Sequence, residues 1–221
     1  IPMYLSQDQS RQLDTAIRGL EKNTGIELVA AVVGKCDHYP EIPWKAFALG
    51  AAFSTLAVLA QVLLRPDWLS SSSALVQAVI VLGVGTLMAL LTMAWPGWAR
   101  CFLDKTRSES EMRQYAQSLF LEHHLFATTN RTGILLLVGL FERRVVILPD
   151  RDLDARLPSG MLQAVIEAMR PALRRGDRFQ ALSRGVSAMM ENLLAAGFKA
   201  ATEDVDQIPD TLIQQKGKDD G

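Results

Sequence analysis

Three aspartates stand at alternate positions in the segment Pro149-Asp150-Arg151-Asp152-Leu153-Asp154. Carboxylate oxygens are the hard ligands that Ca2+ and Mg2+ prefer, so Asp150, Asp152 and Asp154 are the candidate metal ligands of the chain. The segment is not an EF-hand: counted from Asp150, the sixth position is Ala155 in place of Gly and the twelfth is Met161 in place of Glu. Asp150 and Asp152 after a strand also match the Asp-x-Asp of phosphatases in which one carboxylate attacks phosphorus and the second handles the proton. That motif fails, because Asp154 replaces the usual Thr or Val and no downstream lysine or second acidic pair completes the set. A phosphatase without it needs metal-activated water and several converging ligands.

The other reactive side chains are scattered. His123 and His124 are adjacent at a helix end. Neighbours on a helix diverge by about 100°, so the pair suits the negative end of a helix dipole better than one metal. His38 follows Cys36 and Asp37, but a fourth ligand for zinc has no place there. The two cysteines, Cys36 and Cys101, are too few for a disulfide scaffold; both sit just outside the hairpin and could meet if the domain were exported. No Gly-rich phosphate loop, nucleophile elbow or Ser/His/Asp set is present. The sequence thus offers no catalytic residue and no organic-cofactor site, and leaves Ca2+ or Mg2+ on the aspartates as its one cofactor expectation.

These residues need elements to position them, and the central third of the 221-residue chain supplies an unusual pair. Across Ala46–Ala99 the only charged residues are Arg65 and Asp67. Trp44–Leu64 and Leu75–Trp95 are each long enough, at about 1.5 Å rise per residue, to cross a hydrocarbon core of about 30 Å. All four tryptophans, Trp44, Trp68, Trp95 and Trp98, mark the ends of these runs, where an indole sits half in the headgroup region. The joining segment Arg65–Ser73 is a turn between antiparallel helices. Gly50 with Ser54, and Gly85 with Ala89, set small residues four apart, as close helix approach requires. No ionisable residue lies mid-span, which argues for an anchor or docking surface and against an ion or proton path.

Outside the spans, helix and strand patterns alternate. Ser6 with Gln9 makes a capping box, and Leu13, Ala16, Ile17 and Leu20 form one apolar face before Thr24-Gly25. Ile26–Val33 is the continuous apolar run of a strand covered on both faces. Ser108 with Glu111 predicts a second capping box, followed by Met112, Tyr115, Ala116, Leu119 and Phe120 at helical spacing. Gly133–Leu140 and Val145–Leu148, separated by Glu142-Arg143, read as a β-hairpin. One helix then buries Leu162, Val165, Ile166, Met169 and Leu173 and ends near Pro171 and Gly176. Asp177 caps another that buries Leu182, Val186, Met189, Met190 and Leu193 up to Gly197. The fold class is α/β: a small mixed-sheet sandwich with helices on its faces, interrupted by a two-helix transmembrane hairpin. Its parts are residues 1–43, the hairpin 44–98 with spans at about 44–64 and 75–95, residues 99–198, and a mobile polar tail at 199–221.

A net charge of −1 and 7% aromatic content argue against a nucleic-acid partner. Two spans return the chain to its starting side. There Lys35, Lys45, Arg100, Lys105, Arg107 and Arg113 stand against Arg65 in the turn, a bias that places the main domain in the cytoplasm.

The element order resembles that of the TPM domain, the family of thylakoid-lumen phosphatase and photosystem-repair proteins with many bacterial members. The residues that carry the likeness are Leu5-Ser6, Lys22-Asn23-Thr24-Gly25-Ile26-Glu27-Leu28 and Asn130-Arg131-Thr132-Gly133 through Val138. Arg143 through Ile147 and Arg175-Gly176-Asp177 to Gly185-Val186 complete it, over about residues 5–36 and 107–197. The resemblance implies divalent-ion binding and acid phosphatase activity for such domains, in a lumen or periplasm. The hairpin inserted after the first strand departs from the familiar pattern. The expected function is an accessory, assembly or repair subunit of a larger integral membrane protein complex, held in the lipid bilayer of a bacterial inner membrane. The alternative is a membrane-tethered, divalent-metal-dependent acid phosphatase.

Overall fold

A computed structural model describes residues 4–64, 71–127, 132–200 and 212–217. The chain forms two compact units: Ile1–Asp37 with Glu109–Gly221, and His38–Ser108. The expected turn at 65–70, the loop at 128–131 with its Asn130-Arg131, and tail residues 201–211 and 218–221 lie outside the described residues.

In chain order the elements are α1 (Gln7–Thr24), β1 (Leu28–Lys35), α2 (Glu41–Leu64), α3 (Ser71–Ala94), α4 (Pro96–Ala99) and α5 (Lys105–Glu122). Then come β2 (Ile134–Gly139), β3 (Arg144–Pro149), α6 (Arg151–Asp154), α7 (Met161–Arg174), α8 (Arg178–Ala195) and β4 (Leu212–Gly217). Local chemistry sets the helix ends. Ser6 and Gln9 form the expected capping box, and Gly25 closes α1 in the left-handed region at φ 66, where a Cβ would be strained. Asp177 accepts from Gln180 N at 3.0 Å to start α8. The second expected capping box is corrected: Asp104 caps α5, accepting from Arg107 N at 2.9 Å, and this bond holds the Asp104 carboxyl below its ordinary pKa. Ser108 lies buried inside the helix and donates to Lys105 O, because Asp104, four residues earlier, takes the cap first. Pro171 sits within α7 and does not end it.

The four strands run in the order β3-β2-β1-β4. β1 is parallel to both β2 and β4, and β2 and β3 form the antiparallel hairpin, so the sheet is mixed. Side chains alternate along a strand, and β1 feeds two cores in turn. Leu28, Ala30 and Val32 meet Leu13 and Ile17 of α1, Val165 and Met169 of α7, and Leu182 and Val186 of α8. Val29, Ala31 and Val33 meet Met112, Ala116 and Leu119 of α5. The sheet is therefore covered on both faces, which is why β1 and β2 read as unbroken apolar runs.

In the other unit, α2 and α3 are each 24 residues long and long and apolar enough to cross a membrane. They meet along the small residues expected: a Cβ on Gly50 would lie 3.1 Å from Gly85 Cα, so neither position has room for one. Ser54 is buried on the same stripe and returns its hydroxyl to Gly50 O.

The mobile-tail expectation is corrected at Leu212–Gly217, which pairs with β1 from Ala30 to Lys35. Its polar side chains have partners. Gln214 Oε1 accepts from Tyr4 N at 2.7 Å and Leu5 N at 3.1 Å, and Gln215 Oε1 accepts from Tyr115 Oη at 2.7 Å. Ile213 is buried in the second core. Replacing Ile213 by Ala is expected to lower stability by about 2 kcal/mol in chemical denaturation, the lower part of the core range; no change would mean that this strand does not dock.

Candidate functional site

The three aspartates follow β3 directly. Asp150 is nearly buried and is the N-cap of α6: one oxygen accepts from Asp152 N at 3.3 Å, and its own N–H donates to Gly133 O at 2.8 Å. Its second oxygen, Oδ2, is buried with no hydrogen-bond partner among the described residues. Asp152 and Asp154 are exposed. Two positions apart on a helical turn, they diverge by about 200°. The aspartate segment is thus a turn of helix, nucleated by the Asp150 cap and held down by buried Leu153. A Ca2+ or Mg2+ ion needs about six or more converging oxygens. The three carboxylates do not converge, and among the described residues no group of three or more His, Cys, Asp or Glu is placed to hold a metal. The residues do not fit the ion.

His123 and His124 do end a helix, as expected. Their N–H groups donate to Leu119 O and Leu121 O, and His124 takes φ 51, the left-handed conformation of a helix terminus. His124 packs edge-on to Phe126.

Beside the second core lies a buried polar pair that the sequence did not suggest. Glu142, in the turn between β2 and β3, accepts from Cys36 N at 2.9 Å through Oε1 and fastens the end of β1 to the hairpin. Cys36 is a free, buried thiol, and burial first, then the neighbouring Glu142, pushes its pKa far up. Tyr115 is pushed up to about 12, chiefly by burial. Cys101 is also free and is exposed. Cys36 is therefore a protonated structural thiol and not a nucleophile.

A cleft with a volume of about 750 Å3 runs along β3. Its lining includes Arg113 of α5, Arg143 in the turn before β3, Arg144 at the start of β3, and Arg170 and Arg174 of α7, with Glu109 as the acidic member. Arg144 is paired with Glu109 at 3.1 Å, and Arg170 with Glu167 at 2.6 Å. Arg113, Arg143 and Arg174 form no ion pair among the described residues. Helical spacing explains the placement: Glu109 and Arg113 are one turn apart on α5, as are Arg170 and Arg174 on α7. Arg143 reaches the cleft from a left-handed turn position, φ 53. The arrangement suits an anion chemically, since guanidinium groups present paired donors that match carboxylate or phosphate oxygens.

The buried thiol gives a pH test with a defined sign. An unfolded cysteine titrates near 9.0, whereas folded Cys36 holds its proton well above that. Its contribution to stability is present in full below the unfolded value and declines as pH rises through it. Between about pH 9 and 10, wild type should lose about 1 kcal/mol more stability than Cys36→Ala. Maleimide should label Cys101 and spare Cys36 in the folded protein; parallel stability profiles and equal labelling would show an accessible thiol.

Comparison with known proteins agrees with the fold. The structure is similar to that of the BA42 protein from the psychrophilic bacterium Bizionia argentinensis, with TM-score 0.57 and 15% identity over 97% of this chain and 97% of that one. It is also similar to the N-terminal domain of a protein from P. gingivalis, with TM-score 0.51 and 15% identity over 91% of this chain and 84% of that one. No curated protein matches the chain. Residues 101–192 match the TPM domain, a span that holds α5, the β2–β3 hairpin, α7 and most of α8. The chain thus carries a TPM-domain match over residues 101–192, within a mixed sheet.

Proposed function

We propose that this chain is a membrane-anchored TPM-domain protein that serves as an accessory, assembly or repair subunit of a larger integral membrane complex, with its domain on the cytoplasmic side. One observation carries the anchor: among the described residues from Trp44 to Trp95, sixteen large apolar side chains are exposed, Phe53 at 62% and Leu75 at 71% among them. Burial of such a side chain in an apolar environment is worth about 1.5–3 kcal/mol, so apolar cover for these faces is strongly favoured. Only 11% and 6% of the apolar windows of α2 and α3 are buried, unlike the core helices of a soluble protein. Lipid or an apolar partner supplies the missing cover. The absence of mid-span charge favours a holding role over transport.

The accessory role draws on the cleft, which offers arginines for an anionic partner and no paired acid and base to turn it over. Washing membranes with alkaline carbonate is expected to leave the protein in the pellet. Purification in mild detergent is expected to bring down at least one integral membrane protein in stoichiometric yield. Release by carbonate, or a lone monomer in every detergent, overturns this function. Hydrolysis of para-nitrophenyl phosphate with Mg2+, abolished in Asp152→Ala, would put the phosphatase in its place.

A further inference from the structure

We propose that the open edge of β3 accepts an extended acidic segment of a partner protein as an added strand, gripped by arginines on both sides. β3 is the last strand of the order, and among the described residues β2 is its one neighbour. The phase of the hairpin fixes which backbone groups remain. Asp150 N donates to Gly133 O, and residues opposite each other alternate between bonded and non-bonded pairs. Leu148, Val146 and Arg144 therefore exchange hydrogen bonds with Leu135, Leu137 and Gly139. Val145 and Ile147 fall in the alternate set, with N–H and C=O aimed away from β2. Pro149 falls there too, so its missing N–H removes no bond of the ladder.

The cleft lies on this edge. Val145, Val146 and Ile147 all line it, although successive side chains point to opposite faces of a sheet. Only a trench that follows the strand edge touches all three. Its walls come from opposite faces: α5, which covers the second core, supplies Arg113, and α7, which covers the first, supplies Arg170 and Arg174. An added strand would sit about 4.8 Å from β3 and send alternate side chains toward each wall. Five arginines against Glu109 select carboxylates there, and the backbone donors and acceptors of Val145 and Ile147 select a peptide. Among the described residues no aromatic side chain lines the cleft, which sets it apart from the stacking surface of a single-stranded nucleic-acid site.

This proposal deepens the accessory reading, on which it rests for the partner's existence, but its test is separate from that of the anchor. The full chain in mild detergent is titrated by fluorescence anisotropy with dye-labelled acetyl-Thr-Glu-Glu-Val-Glu-Glu-Thr-amide, whose paired acids place a carboxylate on each face. Binding is expected, weakened about tenfold or more by the Arg170→Glu/Arg174→Glu double substitution, which changes only exposed helix positions. The equally charged acetyl-Pro-Glu-Glu-Pro-Glu-Glu-Pro-amide should bind about tenfold or more weakly, because its prolines remove ladder donors in either strand phase. Hydrogen exchange should slow at the Val145 and Ile147 amides when the first peptide is bound. No binding, equal binding of the proline peptide, tighter binding of an oligothymidylate of matched charge, or indifference to the double substitution would each overturn the proposal. Release by carbonate with peptide binding intact would remove the anchor and leave the cleft standing.

Discussion

Parallel strands cannot be joined by a tight turn, and this constraint governs the whole molecule. β1 has a parallel neighbour on each side, β2 and β4, so both partners must return by long connections. The connection from β1 to β2 already has to carry the chain back along the sheet. It is there, after Lys35 and before Ile134, that α2 and α3 are inserted. Loop-closure entropy grows only with the logarithm of loop length, so lengthening an obligatory crossover adds little to its cost. The sheet keeps its register from Leu28↔Ile134 to Val33↔Gly139 despite the insertion.

The same constraint explains what could and could not be read from the amino-acid sequence. β1 and β2 are buried on both faces, so their unbroken apolar runs identify them. The capping chemistry of Ser6, Gly25 and Asp177 is local and equally visible. β4 is different, because its place depends on residues almost the whole chain away. Gln214 and Gln215 look like tail residues, yet one receives the N–H groups of Tyr4 and Leu5 and the other the phenol of Tyr115. A polar side chain satisfied at a separation of about 210 residues leaves no local pattern.

The site divides along the same line. Asp150, Asp152 and Asp154 draw the eye because they are adjacent in sequence, but a helical turn separates side chains two apart, and the cap uses one carboxylate on the backbone. The arginines are invisible for the opposite reason. They come from three stretches, near 113, 143–144 and 170–174, and a net charge of −1 averages them away. The usable signal was the one-turn spacing of Arg170 and Arg174 on a helix whose other face is apolar, together with an arginine pair opening an edge strand. Neither signal says that the two elements meet.

The cleft also bears on the sidedness argument. Arg113 is counted among the cations flanking the spans, yet it lines the cleft, and Arg107 is paired with Glu41 at 3.2 Å. Removing Arg113 from the flank still leaves Lys35, Lys45, Arg100, Lys105 and Arg107 against Arg65. The pairing of Arg107 does not weaken the bias, because orientation follows Lys and Arg and is nearly blind to acids. A cytoplasmic placement sets the arginines in the same compartment as an anionic leaflet, which attracts cations within about a Debye length. Charge alone therefore cannot choose between lipid headgroups and an acidic protein segment. The outward N–H and C=O groups of Val145 and Ile147 can, since a headgroup offers oxygen acceptors but no alternating donor row to pair with a strand. Specificity in this cleft rests on the backbone of β3, and the arginines supply the attraction that brings a strand within its reach.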